Sequence, residues 1–461
     1  MPNSLPAYLA PHALLPHGWE SCVRIEVRPD GNIVGIRAND EGIGCERLAG
    51  PVIPGMPDLH SHAFQRAMAG LVQRLEPEES TFWGWRQAMY RFLEALTPED
   101  VVAVAAQLYV ELLKGGYTTV AEFHYLHNAP DGRPYADPAE MCVAIHEAAR
   151  SAGIGLTLLP SLYMTGGLDG RGLEGGQRRF GLDPDGLFRL LDRLSALFRD
   201  DPARRIGIAP HSLRAVPAAV LREVVIEMRR RDASAPIHIH IAEQLREVEE
   251  CLAHSGRRPF RLLADTVQLD PGFCLIHVTH LDDAETAALA GSPAVAGLCP
   301  STEADLGDGI FRLVDHLGGG GRLGIGTDSQ ACTAAADELR LMEYAQRLSR
   351  RHRLVAATAP EPSTGARLWR AALAGGAQAV GRPVGRIAPG FRADLLVLDA
   401  DHPSLVATPD DRLLDALVFA PGPSPIRDVM VDGAWRIRDG AHALQEPIAD
   451  AYRAVLRRIC R

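Results

Sequence analysis

Eight short apolar runs alternate with longer amphipathic segments in this chain, and this alternation constrains its fold more than any other feature. The runs cover residues 51–59, 118–125, 154–163, 206–212, 237–242, 273–279, 294–298 and 323–326. Segments with helical periodicity, such as 138–152 and 217–231, lie between most of them. Strands that alternate with helices form parallel sheets. Eight such units favour an α/β fold of the closed (β/α)₈ TIM-barrel type over an open doubly wound sheet.

The segments on either side of the predicted barrel have a different pattern. Residues 21–48 and 385–437 contain alternating apolar residues, and the first segment includes Pro29-Asp30-Gly31, which is typical of a hairpin turn. We therefore predict a small β-sheet domain formed by both termini. Its first part covers residues 1–50, the barrel covers 51–380, and the second part covers 381–461 and includes a terminal helix.

The charged residues exclude several classes of function. The chain has 48 basic and 58 acidic residues and a net charge of −10, whereas nucleic-acid binding needs clustered excess cations. Lys114 is the only lysine and lies in a predicted helix, so neither a P-loop nor a pyridoxal Schiff base fits. We expect a small-molecule substrate, with no nucleic-acid or membrane partner.

The cysteines and the N-terminal residues bear on the compartment. The eight cysteines include no Cys-x-x-Cys pair, and most occupy apolar segments, so we predict reduced core residues. No basic stretch followed by an apolar run opens the chain, and no apolar run reaches the roughly 18 residues that span a bilayer. These features predict a cytoplasmic protein.

The carboxyl ends of four predicted strands carry side chains that can bind a metal ion. They are His60 and His62 after the first strand, His240 after the fifth, His277 or His280 after the sixth, and Asp328 after the eighth. Barrel enzymes place their active sites at this end of the barrel, so we expect these side chains to converge. Imidazoles and a carboxylate with an open water position suit a catalytic Zn²⁺, and they also suit Fe²⁺.

This arrangement resembles the amidohydrolase superfamily, which has His-x-His after strand one, His after strands five and six, and Asp after strand eight. Binuclear members carry a carboxylated lysine after strand four, where this chain has the sequence APHSLR at 209–214. The resemblance therefore implies one metal ion per subunit, Zn²⁺ or Fe²⁺. In the mononuclear deaminases a glutamate follows the strand-five histidine by three residues, and Glu243 matches it.

Three further segments are similar to those of formimidoylglutamate deiminases, which belong to this superfamily and act in histidine degradation. They are GMPDLHSHAFQRAMAG at 55–70, FWGWR at 82–86 and EFHY at 122–125, and the resemblance covers essentially the whole chain. The resemblance implies metal ligands at His60, His62, His240 and Asp328, and catalytic roles for Glu243, His277 and Asp328. It implies substrate contacts at Gln65, Arg86, Tyr125, His211 and Arg214.

The implied reaction is hydrolysis of the C=N bond of N-formimidoyl-L-glutamate to N-formyl-L-glutamate and ammonia. Because arginine forms bidentate hydrogen bonds with carboxylates, Arg86 and Arg214 are expected to bind the two carboxylates of this substrate. Asp328 or His277 would accept the proton of the attacking water, and Glu243 would protonate the departing nitrogen. We also expect a homodimer, in which Arg86 acts in its own subunit or in the neighbouring one.

Two other functions are left open by the sequence. The first is a related mononuclear deaminase or chlorohydrolase that acts on guanine or a triazine, although neutral aromatic substrates need no pair of arginines. The second is a non-catalytic barrel stabilised by its metal ion, which predicts a closed coordination sphere. We expect His238 to have a structural or supporting role, and His124 and His127 to be supporting or surface residues.

Overall fold

Five strands precede the barrel in the computed structural model, which describes residues 5–73, 82–420 and 422–460. They are β1 (Ala7–Leu15), β2 (Gly18–Val27), β3 (Ile33–Arg37), β4 (Glu46–Arg47) and β5 (Val52–Pro54). The antiparallel pair of β1 and β2 is followed by β3, which also pairs with β2. Strand β1 precedes the predicted hairpin and was not predicted as a strand. The first four of its residues are all buried, so it lacks the alternation that marks a half-exposed strand.

Within the described residues, nine strands build the barrel. They are β6 (Met56–Ser61), β7 (Tyr117–His124), β8 (Gly155–Leu162), β9 (Arg204–Ile206), β10 (Ala209–Pro210), β11 (Ile237–Ile241), β12 (Phe273–His277), β13 (Val295–Leu298) and β14 (Arg322–Ile325). Strands β9 and β10 are two parts of one predicted strand, and both pair with β8. Parallel bridges from Ser212 to His240 and from Ser61 to Asp328 close the ring. The predicted closed barrel is therefore confirmed.

The first predicted strand, residues 51–59, is divided between two sheets. Its amino-terminal part is β5, which pairs with β1, and its remainder lies in β6 of the barrel. Gly55 separates the two strands and packs against Thr118, so closely that a Cβ at this position would lie 2.2 Å from the Thr118 methyl carbon. The chain passes from one sheet to the other at a residue that has no side chain.

Fourteen helices are described. They are α1 (Phe82–Leu93), α2 (Pro98–Lys114), α3 (Glu140–Ala152), α4 (Pro184–Phe198), α5 (Ala218–Arg231), α6 (Leu245–Ser255), α7 (Pro259–Thr266), α8 (Asp283–Ala290), α9 (Pro300–Leu306), α10 (Leu313–Gly318), α11 (Ala335–Arg350), α12 (Thr364–Val380), α13 (Leu413–Phe419) and α14 (Gln445–Ile459). Short 3₁₀ helices cover Ala63–Met68, Gly175–Phe180 and Asp410–Arg412. Within the described ranges, no helix combines the length and apolar character needed to cross a membrane.

The C-terminal strands join the N-terminal ones in a single nine-stranded sheet. They are β15 (Leu395–Leu398), β16 (Ile426–Val431), β17 (Ala434–Arg438) and β18 (Ala441–His442). The order is β18-β17-β16-β15-β5-β1-β2-β3, with β4 beside β1. Antiparallel pairing of β5 with β15 brings the two ends of the chain together. The predicted fold class, a barrel with a small sheet built from both termini, is confirmed.

A buried ion-pair group connects this sheet to the barrel. The guanidinium of Arg382 donates to both carboxylate oxygens of Asp432 at 3.0 Å and to the hydroxyl of Thr119 in β7 at 2.6 Å. Arg392 also donates to Asp432. Moving the sheet away from the barrel would separate these partners and leave buried charges uncompensated, which is energetically costly. This group therefore holds the sheet in place on the barrel.

All eight cysteines are free. Cys142, Cys251, Cys274 and Cys299 are buried, as expected. The prediction of core positions is wrong for Cys22 and Cys460, which are exposed. Cys22 lies at an exposed position of β2, and Cys460 directly follows α14.

Candidate active site and metal centre

Four side chains meet at the carboxyl end of the barrel strands. The Nε2 atoms of His60 and His240 lie 3.1 Å apart. The Oδ1 atom of Asp328 is 3.5 Å from Nε2 of His60 and 3.3 Å from Nε2 of His62. All four side chains are buried. The structure thus brings together the residues that the sequence suggested as metal ligands, and they form a histidine-rich group able to hold a metal ion.

Backbone carbonyls fix two of these imidazoles in the form that binds metal. The Nδ1–H of His62 donates to the carbonyl of Phe123 at 2.8 Å, and that of His240 donates to the carbonyl of His211 at 2.9 Å. The Nε2 lone pairs therefore face the cluster. Burial lowers the pKa of His60 to about 3 and also lowers the pKa of His62, so these rings are neutral at neutral pH, as a ligand requires.

A buried carboxyl group, Asp58, supports the cluster and was not found from the sequence. Its Oδ1 accepts the backbone N–H groups of His60 at 3.1 Å and Thr327 at 3.2 Å, and its Oδ2 accepts the Thr327 hydroxyl at 2.7 Å. Asp58 therefore links the first and last barrel strands beside His60 and Asp328. Its sequence signal is an acidic residue inside a buried strand, which requires hydrogen-bond partners.

Glu122 performs a similar task for the loop that follows His62. Its carboxylate accepts the hydroxyl of Ser61 at 2.8 Å, the backbone N–H of Ala63 at 2.7 Å and the hydroxyl of Tyr109 at 3.2 Å. Burial raises the pKa of Glu122 to about 8. This residue belongs to the EFHY segment, but its supporting role becomes visible only when strands β6 and β7 are seen side by side.

Glu243 and His277 lie beside the cluster. Nε2 of His277 is 3.7 Å from both Oε1 of Glu243 and Oδ2 of Asp328, and Nδ1 of His277 donates to Glu303 at 3.4 Å. Burial alone lowers the pKa of His277, but the three carboxylates outweigh it and raise the pKa to about 10. Burial raises the pKa of Glu243. The pair thus offers a proton donor and a carboxyl group at one point of the site.

The structure decides between the two histidines that follow the sixth strand. His277 is buried and faces Glu243 and Asp328, whereas His280 is only partly buried and donates its backbone N–H to the Ala242 carbonyl at 3.0 Å. The backbone at His277 has a φ of 70°, a left-handed conformation that is uncommon for a side chain with a Cβ. This turn interrupts the alternation of side chains between the two faces of the strand. Counting every second residue along the sequence therefore could not identify which histidine faces the site.

The five predicted substrate contacts line one cavity with the cluster. They are Gln65, Arg86, Tyr125, His211 and Arg214, and the same cavity is lined by Glu243, His277 and Asp328. The Gln65 amide nitrogen donates to the hydroxyl of Tyr125 at 2.7 Å. Arg86 reaches the cavity of its own chain from α1, the helix that begins in the FWGWR segment. The side chains of the first two residues of that segment lie outside the described part.

Two of these residues also contact the groups proposed for catalysis. The Nη2 atom of Arg214 is 3.4 Å from Oε2 of Glu243. The ring of His211 lies against that of His240, with centroids 4.8 Å apart, and the His211 carbonyl orients the same imidazole. His211 directly follows β10, in the segment that contains no lysine, and its backbone carbonyl supports His240.

The remaining histidines discussed above are buried. Nε2 of His238 bonds to the carbonyl of Ala379 at 2.9 Å, which ties β11 to α12. His124 and His127 are 0 % and 5 % exposed. A surface role for these two residues is therefore wrong, because β7 ends inside the protein and the following loop is covered.

Comparisons with known proteins agree with this geometry. Residues 52–436 match the amidohydrolase family. The chain is 50% identical to a formimidoylglutamate deiminase of Pseudomonas aeruginosa over 98% of both chains. It is 30% identical to a 5-methylthioadenosine/S-adenosylhomocysteine deaminase of Natronomonas pharaonis over 84% of this chain and 81% of the relative.

A solved structure is also similar to this chain over its whole length. The amidohydrolase of Brucella melitensis is 42% identical and superposes with a TM-score of 0.93, covering 99% of this chain and 100% of the other. A family match over most of the chain, a full-length relative at 50% identity and the metal-competent cluster all lead to one conclusion. The chain belongs to the amidohydrolase family.

Proposed function

We propose that this protein hydrolyses N-formimidoyl-L-glutamate to N-formyl-L-glutamate and ammonia, a reaction of histidine degradation. The observation that carries the proposal is the presence of two arginines, Arg86 and Arg214, in the cavity that holds the histidine-rich cluster. Two arginines match a substrate with two carboxylates, because each guanidinium can form charge-assisted hydrogen bonds with one of them. The full-length relative at 50% identity carries the name of this activity.

The donor set fits a divalent cation, and we propose one zinc ion at this centre in each subunit. His60, His62, His240 and Asp328 would hold it, with nitrogen and oxygen donors that zinc accepts and that would also accept iron(II). When bound, such an ion acts as a Lewis acid and makes water reactive near neutral pH. Removal with a chelator should abolish turnover, and metal analysis of the active protein should identify the ion.

Glu243, His277 and Asp328 would move the protons. The oxygen of a water molecule bonds to the formimidoyl carbon as the C=N double bond opens, and the water proton passes to Asp328. His277, which the neighbouring carboxylates hold in its protonated form, stabilises the negative charge that develops on this oxygen. Glu243 donates its proton to the imino nitrogen, then accepts the proton of the new hydroxyl group and passes it to the same nitrogen, which leaves as ammonia while the C=O bond of the product forms. The proton on Asp328 then returns to Glu243, so both residues regain their starting states.

The other cavity residues would orient the substrate. Arg86 and Arg214 each bind one carboxylate, which places the formimidoyl group near Glu243. The Gln65 amide and the Tyr125 hydroxyl are already bonded to one another, so they present a fixed pair of polar groups. Orientation of this kind lowers the entropic cost of reaching the transition state.

The alternative functions fit the site less well. A neutral purine or triazine offers no carboxylate to the two arginines that line the cavity. A non-catalytic metal site would have a closed coordination sphere, whereas His62, His240 and Asp328 line an open cavity together with Glu243. A non-catalytic site also leaves the carboxyl group of Glu243 beside the cluster without a role.

The decisive experiment is to incubate the metal-loaded protein with N-formimidoyl-L-glutamate and to measure N-formyl-L-glutamate and ammonia. Guanine and a chlorinated triazine serve as comparison substrates under the same conditions. We expect product from the dicarboxylate alone. Ammonia or chloride release from an aromatic substrate, with none from the dicarboxylate, would refute the proposal.

We also propose that the protein works in the cytoplasm as a homodimer. The eight free cysteines are compatible with a reducing compartment. Fractionation of the source cells would test the location, and light scattering of the purified protein would test the oligomeric state.

A further inference from the structure

The described residues contain a second buried group of metal-competent side chains, away from the substrate cavity. It consists of His124 at the end of β7, His127 in the following loop and Cys142 in the first turn of α3. The ligand atoms all lie within 4.8 Å of one another. The three side chains are 0 %, 5 % and 1 % exposed.

The hydrogen bonding of His127 leaves one nitrogen available as a ligand. Its Nε2–H donates to the carbonyl of Ser161 at 2.9 Å, so the lone pair is on Nδ1. That atom is buried and has no hydrogen-bond partner within the described residues. A carbonyl fixes the His62 and His240 rings in the same manner. A backbone acceptor on one ring nitrogen is the usual way in which proteins orient a metal-binding histidine.

His124 has a stronger requirement for a partner. Both of its ring nitrogens are buried, and neither has a hydrogen bond of ordinary geometry to any part of the chain that is described. The Leu126 backbone gives its protonated form only minor support, and burial lowers the pKa of His124 to about 3. An unsatisfied buried imidazole costs free energy, and a metal ion bound to one nitrogen would offset part of that cost.

The spacing suits tetrahedral coordination after small side-chain rotations. Zinc binds nitrogen at about 2.0–2.1 Å and sulfur at about 2.3 Å, which places ligand atoms roughly 3.5 Å apart. His127 also lines a surface cleft of about 480 Å³. The group therefore has one member, His127, at the wall of a cleft that is open to solvent.

We propose that His124, His127 and Cys142 form a second metal site, for zinc or another divalent cation that accepts nitrogen and sulfur ligands. On binding, the thiol of Cys142 releases its proton to solvent and its sulfur bonds to the ion as a thiolate. The oxidation state of the ion does not change. The active-site cluster has only imidazole and carboxylate ligands within the described residues, so the two sites differ in chemistry.

This site would connect a barrel strand to the helix that follows it. Tyr125 lies between the two histidines in the sequence, and its hydroxyl contacts Gln65 in the substrate cavity. An ion bound to this cluster would hold the 124–127 segment against α3 and so fix the position of Tyr125. This consequence rests on the proposed function, whereas the metal site itself does not.

The test uses the full chain, stripped with a chelator and reloaded with cobalt(II). A bond between cobalt and a thiolate gives an intense charge-transfer absorption in the near ultraviolet, and nitrogen and oxygen ligands give none. We expect this band in the unsubstituted protein, together with one more equivalent of cobalt than the active-site cluster binds. Cys142→Ala and His124→Gln should each lose both the band and that additional equivalent.

Cys251→Ala is the matched control, because Cys251 is also a buried cysteine on an outer helix, α6. It should keep the band and the second equivalent. The proposal is overturned if the unsubstituted protein shows no thiolate band at saturating cobalt, or if the band survives in Cys142→Ala. Should Cys142→Ala fold poorly, His124→Gln decides the matter by the same measurements. The readout does not depend on turnover, so its failure is distinguishable from failure of the proposed function.

Discussion

Replacing Arg214 by methionine should both weaken substrate binding and change the protonation of Glu243. Arg214 is 8 % exposed and lines the cavity. Its loss would leave one substrate carboxylate without its cation. Removing one partner of a buried charge pair costs about 2–5 kcal/mol. At about 1.4 kcal/mol for each factor of ten, kcat/KM for the dicarboxylate should fall roughly 30-fold to several-thousand-fold.

The second effect follows from the 3.4 Å contact between Arg214 and Glu243. Burial raises the pKa of Glu243, and the positive charges of His277 and Arg214 act against this rise. Without the guanidinium, the pKa of Glu243 should increase further. The carboxylate would then form at a higher pH, so the limb of the kcat/KM profile that reports Glu243 should move in the alkaline direction.

Arg86→Met is the matched control for this prediction. Arg86 lines the same cavity, but its charge is not among the main influences on the pKa of Glu243. The assay is ammonia release from N-formimidoyl-L-glutamate over a range of pH. Both variants should lose kcat/KM, and only Arg214→Met should displace the limb. Unchanged kcat/KM in Arg214→Met would exclude a carboxylate-binding role, and equal displacement in both variants would refute the coupling to Glu243.

Three further predictions concern catalysis, the metal centre and stability. Glu243→Gln should keep its metal content but lose about 10²- to 10⁴-fold in kcat; turnover at the normal rate would exclude the proton transfer. Gly326→Ala should weaken metal binding in a chelator competition, because the new Cβ would lie 2.7 Å from the His60 Cβ; unaltered affinity would contradict this. For His238, burial lowers the pKa to about 4 in the folded state, so the unfolded chain binds more protons below its ordinary pKa of about 6.5. Between pH 7 and pH 5 the free energy of unfolding should therefore fall by about 2 kcal/mol more in the unsubstituted protein than in His238→Gln. Denaturant titrations in which both proteins lose the same amount would contradict the lowered pKa of His238.

Much of the fold was predictable because the barrel repeats one pattern. Each βα unit buries an apolar strand and one face of a helix, and both leave a periodic signal in the sequence. Strand β1 and the split of residues 51–59 were missed for a physical reason. The residues at the start of β1 and throughout β5 are buried, and a continuous apolar run does not show which sheet a strand joins.

The ligands of the candidate site were easier to find than the residues that hold them in place. His60, His62, His240 and Asp328 sit at strand ends, where barrel topology brings distant residues together. Asp58 and Glu122 act through hydrogen bonds to backbone and hydroxyl groups of neighbouring strands. Such partners depend on strand register, which local sequence does not record.

The amino-acid sequence by itself determined the order of strands and helices, the residue types available at each strand end, and the absence of a lysine after the fourth strand. These properties are local, because each depends on a residue and its near neighbours in the chain. Only the tertiary structure decided that His277 rather than His280 faces Glu243, that Arg86 lines the cavity of the cluster, and that His124, His127 and Cys142 meet. Those outcomes depend on backbone turns and on contacts between segments far apart in sequence, which become fixed when the barrel closes and its side chains pack.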